Sequence, residues 1–240
     1  MIDIKNVSKT FNGDNKAIDN ITLHLEDGEI IGFIGLNGAG KTTLIKMMTG
    51  VLIPDKGKIK INNHDIVKEP LEAKQNIGYM SDSPDMFLRL TGIEYINLIA
   101  DIYNVSKEVR EKRTKELCEK FQLTDVLDKP MQGYSHGTRQ KMMVVGALIH
   151  DPKVWILDEP LIGLDPQSSK LLKEMMREHA KKNNTVFFST HVLEIAEKLC
   201  DRVVIIDQGK IAYFGTLDDL KKSTKKKDLE ELFLEVIHHE

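Results

Sequence analysis

Two kinds of apolar pattern recur along the 240 residues of the chain. In Ile2/Ile4, Ile21/Leu23/Leu25 and Ile59/Ile61 every second position is apolar, with polar residues between. That spacing predicts strands with one face in a core and the other in solvent. By contrast, Ile30-Ile31-Gly32-Phe33-Ile34, Val154-Trp155-Ile156-Leu157, Val186-Phe187-Phe188 and Val203-Val204-Ile205-Ile206 lack polar side chains throughout. Such runs suit a parallel sheet covered on both faces. Helical spacing separates them. Ile93, Ile96, Ala100 and Tyr103 share one stripe, and Val109, Leu117 and Phe121 another. Pro166 opens a helix with Leu171, Leu172, Met175, Met176 and His179 on one face. The class expected is α/β, a mostly parallel sheet with an antiparallel β layer (about residues 1–30 and 51–76) and an inserted helical subdomain (about 84–150). No internal repeat is evident.

Composition narrows this picture only modestly. A chain of this length buries roughly 70% of its unfolded surface, enough for one large domain. Lys and Arg number 34 against 37 Asp and Glu, a net charge of −3, which gives no reason to expect a nucleic-acid partner. Cys118 and Cys200 lack metal-type spacing and read as reduced thiols of an intracellular protein. No apolar run approaches the ~20 residues of a membrane-spanning helix, and the start Met1-Ile2-Asp3-Ile4-Lys5 does not resemble a secretory signal. After Gly215, a lysine run (Lys221, Lys222, Lys225, Lys226, Lys227) precedes a helix candidate over 228–237 and the end His238-His239-Glu240. The run reads either as a solvated linker or as a contact for anionic lipid headgroups.

The candidate chemistry begins at Gly35-Leu36-Asn37-Gly38-Ala39-Gly40-Lys41-Thr42, between the apolar run Ile30–Ile34 and a helical segment starting near Leu44. Glycines there let backbone N–H groups curl around phosphate oxygens, and the helix N-terminus adds its positive end. Lys41 supplies a point charge, and the Thr42 hydroxyl suits Mg²⁺. A second strand, expected beside this loop, ends in Asp158-Glu159. Asp158 is assigned to Mg²⁺, and Glu159 to orienting or deprotonating the water that attacks a γ-phosphate. His191 follows the buried run Val186–Phe188 and opens a helix with Val192, Ile195, Ala196 and Leu199, at the active-site edge of an α/β sheet. His24 and His64 read as solvent-facing, and His150 and His179 as helix-surface or core-edge residues.

Tyr134-Ser135-His136-Gly137-Thr138-Arg139-Gln140-Lys141 resembles the signature sequence of the ATP-binding cassette superfamily, usually Leu-Ser-Gly-Gly-Gln. Gly163-Leu164-Asp165-Pro166 resembles that family's D-loop, Ser189-Thr190-His191 its switch histidine, and Phe11, in the polar loop Thr10-Phe11-Asn12-Gly13, its adenine-stacking aromatic. The resemblance covers about residues 1–220, read as one cassette domain with 221–240 as linker and C-terminal helix. It is strongest to ATPase subunits of bacterial drug, bacteriocin and lantibiotic exporters. It implies a P-loop NTPase core, ATP and Mg²⁺, and hydrolysis of ATP by Glu159, His191, Lys41 and Asp165. Nucleotide would be held by Phe11, Gly35, Leu36, Asn37, Gly38, Ala39, Gly40, Lys41, Thr42 and Thr43, and by Ser135 and Gly137 of a second ATPase subunit, identical or paralogous. Separate transmembrane permease subunits would then hold the chain at the inner face of the cell membrane. The helical insert and the loop from Asp82 to Leu90, with Met86, Phe87 and Leu88 as an apolar contact, would dock them, unless Met86 and Phe87 fill the core. A soluble or regulatory clamp is the competing reading.

Two departures from the family pattern stand out. Tyr134, His136 and Thr138 replace the usual signature residues, so the His136 side chain either faces away from the phosphate or adds a donor to it. In Ile77-Gly78-Tyr79-Met80-Ser81-Asp82, Asp82 stands where the family has a glutamine that senses Mg²⁺. A carboxylate is the stronger ligand but is shorter by one bond, roughly 1.5 Å.

Overall fold

A computed structural model describes residues 1–11, 13, 15–83, 85, 87–223 and 233. Asn12, Met86, Lys225 to Lys227 and, apart from Phe233, the expected helix over 228–237 with its histidine end lie outside the described residues. In chain order, β1 (Ile2–Phe11), β2 (Asn15–Leu25) and β3 (Ile30–Ile34) lead into α1 (Lys41–Met48). Next come β4 (Lys56–Ile61), β5 (His64–Asp65), α2 (Pro70–Gln75) and β6 (Ile77–Met80). Then follow α3 (Gly92–Ile102), α4 (Lys107–Phe121), α5 (His136–Leu148), β7 (Val154–Leu157), α6 (Pro166–Lys181) and β8 (Thr185–Thr190). α7 (Leu193–Leu199), β9 (Arg202–Asp207), β10 (Lys210–Gly215) and α8 (Leu217–Ser223) complete the described elements.

The strands form a four-stranded antiparallel sheet, β2-β1-β4-β5, and a six-stranded sheet, β10-β9-β3-β8-β7-β6, in which β10 alone is antiparallel to its neighbour. Side chains alternate across a strand, so each buried run serves two cores. Ile31, Phe33, Ile156, Phe187 and Val204 pack with Ile2, Ile4 and Leu23 of the antiparallel layer around Leu44, Met47 and Met48 of α1. Ile30, Trp155, Leu157, Val186 and Phe188 face the opposite side, against Tyr95, Ile96, Met142, Val145, Leu172 and Met176 of the helices. Fully burying one such side chain contributes about 1.5–3 kcal/mol, which is why both faces of these strands exclude polar residues.

Several local features depart from the sequence reading. Ile77–Met80 is a parallel edge strand in register with Val154–Leu157, although Gly78 and Tyr79 interrupt an apolar run. Pro70–Gln75 forms a helix inside the range assigned to the β layer. In α4 the buried stripe is Thr114, Cys118 and Phe121, while Val109 is exposed, because the helix turns only its later half toward the core. α3 starts where Thr91 and Glu94 form a capping box, which satisfies two N-terminal donors.

Candidate nucleotide site

The glycine-rich turn joins the C-terminal end of β3 to α1. Gly40 has φ 108° and a Cβ there would lie 2.5 Å from the Ala17 carbonyl oxygen, so only glycine fits this corner. The turn delivers Lys41 to the start of α1 with its side chain buried. The ammonium donates to the carbonyls of Gly35 at 2.8 Å and Leu36 at 3.2 Å. It also lies 4.0 Å from Glu159 Oε1. Burial pulls its pKa below the ordinary lysine value, and the charges of Glu159 and Asp158 oppose that shift.

β3 and β7 are not neighbours, contrary to the reading that set Asp158 on the strand beside the phosphate loop. β8 lies between them, and its residue Ser189 closes the gap. The Ser189 hydroxyl donates to Asp158 Oδ1 at 2.5 Å and accepts from the Glu159 backbone N–H at 2.9 Å. One buried side chain therefore positions both acids. Ser189 carries no role in the sequence pattern beyond a hydroxyl at the end of the apolar run Val186–Phe188. Ser189→Ala should leave an acceptor and a donor unpaired, lowering stability by about 1–3 kcal/mol. Urea unfolding would show this, together with a fall in any turnover that depends on Glu159; an unchanged midpoint would exclude the bridge.

Asp158 is 1% exposed, and its Oδ2 is buried without a hydrogen-bond partner. Desolvation raises its pKa, as do the charges of Asp82 and Glu159, while the hydroxyls of Ser189 and Thr42 pull it down. An orphaned carboxylate oxygen beside the Thr42 hydroxyl and a second carboxylate suits a hard divalent cation. Among the described residues no three His, Cys, Asp or Glu side chains gather into a metal site. Any ion here would complete its shell with hydroxyl, phosphate or water oxygens.

Glu159 sits at φ 49°, and Oε1 lies 3.1 Å from His191 Nδ1. His191 lies just before α7, which begins at Leu193, two residues later than the helix start read from the sequence. A cleft of about 260 Å³ gathers Asn37, Gly38, Gly40, Lys41, Thr42 and Thr43 with Asp82, Asp158 and Glu159, and Ala17 of β2 lines it as well. Ala17 gave no sequence signal. Asp82, which accepts from the Ser81 hydroxyl at 3.1 Å, is thus brought to the phosphate loop.

Of the expected site residues, Phe11, Gly35, Leu36, Ala39, Ser135, Gly137, Asp165 and His191 lie outside the cleft lining. Phe11 is 40% exposed; it belongs to β1 rather than to a loop, because the hairpin register pairs it with Asn15. Ser135 caps α5 through the Thr138 N–H, and Gly137 follows in the first turn of that helix. Asp165 caps α6 through the Ser168 N–H and hydroxyl at 2.9 and 2.6 Å, and pairs with Lys141 at 3.1 Å. These contacts hold its carboxyl well below the usual carboxylate range. Tyr134 fills the helical core and donates to the Val126 carbonyl, and Leu36 and Ala39 contribute backbone to the phosphate loop.

A parallel sheet whose strand ends carry a glycine-rich phosphate loop, a buried aspartate and a glutamate–histidine pair defines a P-loop nucleoside triphosphatase. The ABC transporter family profile matches residues 18–162. The chain is 34% identical over 238 residues to the ABC transporter ATP-binding protein NatA of Bacillus subtilis (strain 168), covering 98% of this chain and 97% of that one. It is likewise 34% identical over 220 residues to the linearmycin resistance ATP-binding protein LnrL of the same organism, covering 92% of this chain and 70% of LnrL. A solved structure of an ATP-binding subunit of an ABC transporter superposes with a TM-score of 0.93 at 33% identity, over 98% of this chain and 99% of that one. The chain belongs to the ABC transporter family, as an ATP-binding subunit.

Proposed function

We propose that this subunit hydrolyses ATP in the cleft between the phosphate loop and Glu159 and drives separate transmembrane subunits, exporting a peptide, drug or lipid-like substrate. The observation that carries the reading is the approach of Lys41 and His191 to the same atom, Glu159 Oε1, at 4.0 and 3.1 Å, where Lys41 and Glu159 line the cleft. The loop amides and Lys41 hold the phosphates, while Glu159 takes a proton from, or orients, the attacking water and His191 fixes its carboxylate. Mg²⁺, held by Thr42 and Asp158 with Asp82 near, would neutralise charge developing on the phosphates.

Ser135 and Gly137 stand at the accessible start of α5, away from the cleft of their own chain. That position suits completion of the site of a partner subunit, so each ATP would be sandwiched in a dimer. No helix among the described residues is long and apolar enough to cross a membrane. Transport therefore requires subunits that span it, with this chain peripheral at the inner face. Phe87 of the Asp82–Leu90 loop and Leu98 and Ile102 of α3, which are 38%, 37% and 62% exposed, offer apolar contacts for those subunits. Lys221 and Lys222 pair with Glu197 and Asp219 of this chain, which favours a solvated tail over lipid contact at those two positions.

The full chain should hydrolyse ATP only with Mg²⁺, at a rate per chain that rises with protein concentration. From detergent-solubilised membranes it should co-isolate with a multi-span protein. Turnover independent of concentration would exclude the sandwich dimer, and isolation with ribosomes or DNA instead of a membrane subunit would favour a clamp.

A further inference from the structure

His136 stands where the family signature has glycine, and its ring has a definite contact. Gly163, at φ +79° in the loop that runs from Glu159 to Asp165, is so close that a Cβ there would lie 2.6 Å from His136 Cδ2 and 3.0 Å from Nε2. A Cβ on Gly137 would lie 3.0 Å from the Gly163 carbonyl oxygen. One turn further along α5, Lys141 Nζ is 3.1 Å from Asp165 Oδ2. The first two turns of α5 therefore grip the loop at two points, Gly163 and Asp165. That loop begins at Glu159, whose carbonyl accepts from the Ile162 N–H at 3.3 Å. The imidazole lies against Gly163 of its own chain and is not directed at its own phosphate loop, whose cleft it does not line.

We propose that His136 is a positioning residue that seats the Glu159–Asp165 loop on the start of α5, so that Ser135 and Glu159 of one chain respond as one unit. This rests on the proposed reading in which Ser135 faces the partner's nucleotide and Glu159 serves the chain's own. With glycine at position 136, the ring that presses on Gly163 would be missing, leaving the Lys141–Asp165 pair and the close approach of Gly137 to the Gly163 carbonyl between α5 and the loop. This chain thus adds a side-chain contact between the two half-sites of each subunit. Exposed ion pairs are weak and screened by salt, whereas a ring packed on a backbone resists displacement through steric contact alone.

The test is a double-mutant cycle on the full chain. His136→Ala should lower kcat by about 3- to 10-fold with KM and equilibrium ATP affinity unchanged, since a small misplacement of the catalytic group is costly while the phosphate loop is untouched. Gly163→Ala should lower kcat further, by about 10- to 100-fold, because its methyl meets the ring and its φ disfavours alanine. In the double variant part of that loss should return, as the atom that the methyl meets has gone. The same rescue should appear in the urea midpoint, which reports the contact without any need for turnover. Strict additivity in both readouts, a raised KM for His136→Ala, or unchanged kcat in that variant would each overturn the positioning role. A wild-type chain that binds ATP without hydrolysing it would instead overturn the proposed function, while rescue in the urea midpoint would still stand for the contact.

Discussion

Glu159→Gln should lower ATP turnover by about 10²- to 10⁴-fold without weakening ATP binding. The amide keeps the shape of the side chain and the backbone N–H bond to Ser189, but it cannot accept a proton from water. Its loss of charge also acts on its neighbours. Glu159 is one of the charges that raise the pKa of Asp158, so neutralising it favours ionised Asp158, the form that suits Mg²⁺. It likewise removes one negative charge facing the triphosphate. Affinity for MgATP should therefore hold or improve while chemistry stops, and dimers closed around ATP should accumulate. Steady-state turnover, equilibrium nucleotide binding and size-exclusion chromatography with ATP measure the three outcomes. Turnover near the wild-type rate would remove Glu159 from the chemistry, and lost affinity would mean that the glutamate holds nucleotide instead of water.

The acids and the phosphate loop were legible because their chemistry is local. Gly40, Lys41 and Thr42 act through consecutive backbone positions, and Asp158-Glu159 through a place at a strand end, which an apolar run followed by acids reveals. What stayed hidden depends on neighbours distant in the chain. Nothing near Val154 says that β8 lies between β3 and β7, so the bridge from Ser189 to Asp158, 31 residues away, leaves no more trace in the sequence than a hydroxyl at the end of an apolar run. The contact of His136 with Gly163 is of the same kind: the sequence left its ring two possible directions, and only the packing of α5 on the D-loop chooses.

Edge strands were hard to read for a different reason. Lys210 and Ala212 in β10 give a mixed pattern because an edge strand needs burial only where a neighbour covers it, whereas Gly78 in β6 is buried and is glycine because a Cβ there would lie 2.3 Å from the Ala147 carbonyl oxygen. Histidines blurred the helical pattern too. His150 stacks on Tyr103 with ring centroids 3.6 Å apart, and burial pulls its pKa down to about 4. His179 lies edge-on to Trp155 and is only 8% exposed. His179 is thus a buried side chain on the apolar stripe of α6, and His150 a half-buried one at the core edge.

Lys41→Met should weaken ATP binding by about 10- to 100-fold, the loss of a charge-assisted contact of about 1.5–3 kcal/mol, and yet leave the fold at least as stable as the wild type. The two halves of this expectation follow from one balance. The ammonium lies in a buried site where it reaches the Gly35 and Leu36 carbonyls, and its pKa is nonetheless lowered, so desolvation outweighs the attraction to Glu159 and Asp158. The folded protein on its own disfavours this charge; a bound triphosphate would supply the missing anion. In linkage terms, the folded state releases the Lys41 proton at lower pH than the unfolded chain does. Stability contributed by this group therefore rises with pH between the lowered folded value and the ordinary value of 10.5, and that rise should vanish in Lys41→Met. ATP affinity has the opposite sign, falling as pH climbs through the lowered value because the phosphates lose their cation. Thermal melts and equilibrium ATP binding across the alkaline range separate the two. A variant that melts below the wild type at neutral pH, or that binds ATP equally well, would show that Lys41 braces the loop and does not hold phosphate.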